Sequence, residues 1–168
     1  PEQALETSVR FFKEAGAMAV KLEGAHLATV EKLTSSGIPV MGHVGLTPQS
    51  LHQLGGYRVQ GRSDGDAILE AALALEKAGA FAIVLELVPA ELATRITAAL
   101  TIPTIGIGAG VACDAQVLVW TDMVGLTKNA PKLAKAYRNL RSEILGAATE
   151  FADEVRAGTF PSEDQTFH

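Results

Sequence analysis

The stretch FAIVLELVPAELATRITAALTIPTIGIGAG, residues 81–110, decides the fold. It opens with an almost wholly apolar run, FAIVLEL, too short for a helix and rich in strand-forming residues. Pro89 then starts a helix, PAELATRITAAL, and a second apolar strand, TIPTIGIGAG, ends in glycines. A strand buried on both faces, a helix, then another such strand is the pattern of a parallel sheet covered by helices.

The same alternation extends both ways. Upstream lie a helix from Pro1 to about Gly16 with Leu5, Val9 and Phe12 on one face, and a strand AMAVKLEG. A helix from about Leu27 to Ser36 and a strand IPVMGHVG follow. A long glycine-rich polar stretch, GLTPQSLHQLGGYRVQGRSDG, precedes a helix over about 66–78, with Asp66 as its expected N-cap. Downstream, VLVWTDMVGL (117–126) reads as a fifth strand and residues 131–156 as a final helix. No low-complexity linker interrupts the chain, so residues 1–168 read as part of one domain.

Two architectures fit, a doubly wound open sheet and a (β/α)8 barrel. Polar residues stand at the carboxyl end of nearly every strand: Lys21 and Glu23, His43, Glu86, the GIGAG loop, Asp122. A barrel gathers its site from many strand ends, whereas an open sheet uses one switch point, so the barrel is expected. A barrel needs eight strands and about 250 residues. Five strands are found here, so the chain is expected to supply about the last five.

With 48% hydrophobic and 20% charged residues, the chain suits a packed globular domain. A net charge of −5 and no basic run argue against a nucleic-acid partner. No apolar run is long enough to span a bilayer, and PEQALETSVRFF reads as an amphipathic helix, so a cytoplasmic address and no membrane partner are expected. The single cysteine, Cys113, can form neither an internal disulfide nor a zinc cluster alone.

Lys21 and Glu23 lie two apart on a strand and project to one face. They form either a structural ion pair, or an anion-binding lysine beside an oxygen ligand for a hard divalent cation. Glu86 ends an apolar run, where burial is costly and suits a carboxylate to proton transfer; alternatively it caps the following helix. His43, in GHVG, is either a hydrogen-bonded core residue or a substrate contact. GIGAG (106–110) resembles a phosphate cradle only weakly, since its glycines also serve a sharp turn. Arg58 and Arg62 stand in a loop of the kind that covers barrel mouths, or are solvated charges. No nucleophile triad, zinc spacing, Walker sequence or dinucleotide fingerprint is present.

Six segments in order, VKLEG (20–24), GHVGLTPQS (42–50), GGYRVQGR (55–62), VLE with VPAELA (84–93), IPTIGIGAG (102–110) and QVLVWTDMVGL (116–126), resemble the ketopantoate hydroxymethyltransferase family. The resemblance runs down to the tail GTFPSEDQTFH. It implies deprotonation of 3-methyl-2-oxobutanoate beside its ketone. The enolate then attacks the one-carbon unit of 5,10-methylenetetrahydrofolate to give 2-dehydropantoate in pantothenate biosynthesis. It implies Mg2+ as the metal, Glu23 as a ligand to it, Lys21 as a contact to the keto acid and Glu86 as proton acceptor. A homo-oligomer, ring-like in the family, is also implied. The family's barrel has earlier strands ending in Asp-Ser and in Asp-Leu-Pro-Phe, and neither motif occurs here. A complementary N-terminal segment carrying those aspartates is therefore expected, and this chain alone is expected to be inactive. Local departures are Ala115 where glycine is usual and Asp164-Gln165 where Glu-His is usual. The alternatives are another Mg-dependent 2-oxo-acid barrel, of the phosphoenolpyruvate mutase and isocitrate lyase kind, or a non-catalytic partial barrel. The former should show a reactive cysteine in its loop, whereas Cys113 follows GIGAG.

Overall fold

The computed structural model describes residues 1–50, 52 and 56–167; Leu51, Gln53, Leu54, Gly55 of the GGYRVQGR motif and His168 lie outside them. The chain forms two compact units, Pro1–Val117 and Leu118–His168.

The first unit holds a five-stranded sheet in the order β1-β2-β3-β4-β5, every neighbouring pair parallel. Its strands are β1 (Val20–Lys21), β2 (Val40–Gly45), β3 (Ala82–Glu86), β4 (Thr104–Ile107) and β5 (Ala115–Gln116). Helix α1 (Glu2–Ala15) precedes β1; α2 (Leu27–Ser35), α3 (Gly65–Lys77) and α4 (Ala90–Ala99) connect the first four strands. Strand order follows chain order with no reversal, so the doubly wound alternative, which needs one, does not describe this sheet. Crossovers of one hand stepping always in one direction place their helices on one face.

That face is the core. Val40, Val44, Ile83 and Leu85 from the strands pack with Val30 and Leu33 of α2, Leu75 of α3, and Leu92 and Ile96 of α4, all buried. Each such aliphatic side chain contributes about 1.5–3 kcal/mol on burial. Leu5, Val9 and Phe12 of α1 pack against this cluster, as their spacing predicts. The strand period of two turns the alternate residues the other way. The register therefore puts Lys21, Met41, His43, Val84, Glu86, Ile105 and Ile107 on the opposite face.

Three expectations are corrected. The fifth strand is Ala115–Gln116, not 117–126: Val117 still bonds to the Gly106 carbonyl, but Trp120–Met123 forms a short helix, α5. A brief apolar run does not by itself distinguish strand from helix, and Asp122 thus lies on α5 rather than at a strand end. Helix α3 starts one residue early, with Asp64 at its N-cap position, while Asp66 sits in the first turn and pairs with Arg95 at 2.6 Å. The last helix, α6 (Leu140–Ala157), begins nine residues after Pro131, because the Asn139 side chain accepts the Ser142 amide and fixes the N-cap there. Within the second unit, Tyr137 and Leu140 bond back to Met123 and Val124, and Phe151 meets Phe160 edge-on.

A carboxylate latch closes the β4 side of the first unit. Asp114 Oδ2 accepts the Thr104 amide at 2.8 Å and its hydroxyl at 3.0 Å, and the Thr104 hydroxyl also meets Thr97 of α4 at 2.9 Å. These bonds, the Thr104 amide first, hold the Asp114 carboxyl below its ordinary range. A depressed carboxyl contributes stability fully above its unfolded value and loses it as pH falls through the folded one. Asp114→Asn is therefore expected to lower the melting temperature at neutral pH and to flatten its acid-side decline. Parallel acid limbs for variant and parent in a thermal-melt series would remove this role.

Candidate active site

Adjacent parallel strands bring their carboxyl ends together, and here three of them end in ionisable groups. The β1 end carries Lys21 and, two residues on, Glu23; β2 carries His43; β3 ends on Glu86. The register pairs Lys21 with Met41, His43 with Val84 and Gly45 with Glu86, so the side chains form one row. Glu23 Oε1 lies 3.3 Å from Lys21 Nζ, which lies 3.1 Å from His43 Nδ1. His43 Nε2 faces the Leu46 carbonyl at 2.9 Å and Glu86 Oε2 at 3.2 Å. Three of the four side chains are largely buried, Glu23 at 9% exposed, His43 at 2% and Glu86 at 13%, while Lys21 between Glu23 and His43 is 43% exposed.

Backbone geometry holds the row. Gly45 takes φ 91, and a Cβ there would run into the Glu86 carbonyl. This turn lets the Leu46 amide donate to that carbonyl at 2.8 Å and swings the Leu46 carbonyl toward His43. Glu23 Oε2 accepts the Gln49 amide at 2.9 Å, from the single helical turn Pro48–Ser50. Leu87, directly after Glu86, has φ 47 and is the one non-glycine residue with positive φ among the described residues. That conformation costs about 1–2 kcal/mol for an L-residue. Two bonds offset it: the Leu87 amide donates to Ile107 at 2.9 Å, and its carbonyl accepts the Gln60 amide at 2.8 Å. The described part of the long loop is thereby fastened beside Glu86.

Lys21, Glu23, His43 and Glu86, each picked from strand-end position, are thus all brought together. Gly45, Leu46, Gln49 and Leu87 were not foreseen. Only Gly45 left a sequence signal, a glycine where a strand must turn. Arg58 and Arg62 are exposed and do not join the row. In GIGAG, Gly108 and Gly110 have positive φ, and the Gln116 amide donates to the Gly110 carbonyl at 2.8 Å. Cys113 is a buried free thiol against Gly106. His26 occupies the N-cap of α2 and His52 is exposed.

A family model for ketopantoate hydroxymethyltransferase matches residues 1–163. The chain belongs to that family. Among relatives, 3-methyl-2-oxobutanoate hydroxymethyltransferase of Thermobifida fusca (strain YX) is 59% identical over 171 residues, covering 99% of this chain and 61% of the relative. The namesake of Acidothermus cellulolyticus (strain ATCC 43068 / DSM 8971 / 11B) is 60% identical over 165 residues, covering 96% and 61%. The chain thus spans less than two thirds of the length of the curated relatives it matches. A solved phosphonopyruvate hydrolase structure superposes with a TM-score of 0.50 at 16% identity, over 98% of this chain and 60% of that one; the likeness is one of fold. No helix among the described residues is long and apolar enough to cross a membrane.

The magnesium ion implied by the family resemblance has few ligands among these side chains. Among the described residues no group of three or more His, Cys, Asp or Glu comes together to hold an ion. Glu23 offers one carboxylate, with Oε1 facing Lys21 and Oε2 bonded to the Gln49 amide. These residues do not make a magnesium site by themselves.

Proposed function

We propose that this chain carries the proton-transfer side of a 3-methyl-2-oxobutanoate hydroxymethyltransferase active site. The observation that supports it is the row Glu23–Lys21–His43–Glu86 along three adjacent strand ends. Glu86, at the β3 end of the row, takes the proton from the third carbon of the keto acid. The electron pair of that C–H bond passes toward the keto oxygen, and the enolate carbon then bonds to the one-carbon unit of 5,10-methylenetetrahydrofolate. That unit leaves both folate nitrogens, a water molecule supplies the new hydroxyl, and tetrahydrofolate is released. Lys21, nearly half exposed, spends two of its three N–H groups on Glu23 and His43 and turns the third to the anionic keto acid. Holding the substrate over Glu86 in this way turns an encounter into an oriented reaction.

In this reading the sheet is the wall of a (β/α)8 barrel, and the chain supplies about its last five strands within a single barrel domain. Glu23 is one ligand to Mg2+, and a complementary N-terminal segment brings the carboxylates that the described residues lack. The assembled enzyme, meaning the chain with that segment, is a cytoplasmic homo-oligomer.

Deuterium exchange at the third carbon of 3-methyl-2-oxobutanoate, followed by NMR without folate, isolates the proton step. Glu23→Ala in the assembled enzyme is expected to demand much more magnesium for the same exchange rate, since a hard-ion site loses one oxygen ligand. An unchanged magnesium titration would make Glu23 structural, and the absence of exchange in the unaltered assembled enzyme would overturn the functional reading.

A further inference from the structure

We infer that His43 is a positioning residue for Glu86, fixed by Lys21 and Leu46 in the tautomer that carries its proton on Nε2. The inference deepens the reading above and rests on it.

Both ring nitrogens have partners of known character. Nδ1 lies 3.1 Å from the Lys21 ammonium, which has only donors to offer, so Nδ1 must present its lone pair. Nε2 lies 2.9 Å from the Leu46 carbonyl and 3.2 Å from a carboxylate oxygen of Glu86, which are both acceptors, so Nε2 must carry the proton. Each side independently demands the same tautomer. With the ring 2% exposed, water has little room to replace either partner. His43 therefore has no nitrogen left for substrate.

The consequence concerns the proton that Glu86 collects. The charged groups facing the ring are Lys21 and Glu86, while Glu23 reaches it only through Lys21. His43 thus presents a fixed N–H edge to Glu86. One Glu86 oxygen lies at that edge, and the other, Oε1, meets no protein partner among the described residues and is available to the substrate. The backbone completes the frame, because Leu46, whose carbonyl accepts the hydrogen bond from the ring N–H, also donates its amide to the Glu86 carbonyl.

Two measurements test this. Nitrogen NMR of protein labelled in its histidine rings, with His43 assigned from the spectrum of His43→Gln, needs no turnover. The expected spectrum shows a proton on Nε2 and a bare Nδ1. Lys21→Met should move the Nδ1 resonance and leave the Nε2 proton in place. A proton on Nδ1 in the parent protein overturns the inference, whatever the enzyme's activity. Kinetics in the assembled enzyme then separate positioning from substrate contact. A glutamine amide reaches the Nε2 position and an asparagine amide only the Nδ1 position. His43→Asn is expected to slow deuterium exchange by about 10²-fold, the cost of a misplaced reacting group, with keto-acid KM little changed. His43→Gln should recover most of the loss. A raised KM with unchanged kcat in both variants would make His43 a substrate contact instead. Failure of the functional reading itself shows separately, as Glu86→Gln leaving exchange intact.

Discussion

Glu86→Gln in the assembled enzyme is expected to lower the rate of proton abstraction by about 10²–10⁴-fold while keto-acid affinity changes little. The amide keeps the shape of the side chain at the end of β3 and the adjoining Gly45 turn. It cannot accept a proton at neutral pH, so under the proposed function the step loses its base. Because the change acts on the reaction step and not on binding, kcat and kcat/KM should fall together. Deuterium exchange at the third carbon reads the step directly, with no contribution from the folate half-reaction. Retention of more than about half the parental exchange rate would remove Glu86 from the mechanism, given the range expected of a general base.

The second large effect is structural and falls on Gly45. Gly45→Ala places a Cβ against the Glu86 carbonyl and imposes φ 91 on an L-residue. The strained φ costs about 1–2 kcal/mol, and the forced backbone shift adds roughly 1–3 kcal/mol. For a chain of this length that corresponds to a fall of about 4–20 °C in Tm. Gly37→Ala supplies the control, since Gly37 also has positive φ but open space where its Cβ would go. Gly37→Ala should cost only the strain and leave activity intact, whereas Gly45→Ala should also displace Leu46 and Glu86 and lower deuterium exchange. Equal melting shifts for the two variants would show that the close approach at Gly45 is unimportant.

Much was legible from residues alone. The alternation of apolar strands with helices, the packing face of α1 and the glycine stops follow from local chemistry, which acts over a few residues. Six ordered segments carried the family, and strand-end position was enough to mark Lys21, Glu23, His43 and Glu86. The errors were equally local in origin. An apolar stretch at 117–126 has no strict alternation, and α6 takes its start from one Asn139 side-chain bond rather than from a proline.

What only the tertiary structure decided is which of these groups touch. Lys21, His43 and Glu86 are separated by 22 and then 43 residues, and parallel strands joined through helices leave their register to packing of distant segments. A slip of one residue in β2 would turn His43 into the helix-facing core and leave Lys21 and Glu86 without a bridge. Val40, Val44, Ile83 and Leu85, buried under α2, α3 and α4, hold that register, and the Gly45 turn locks it at the Glu86 carbonyl. The sequence by itself named the chemical groups, because reactivity belongs to residue type. The order in which they share protons and charge belongs to the sheet, because hydrogen bonds of about 3 Å exist only after the strands have found their neighbours.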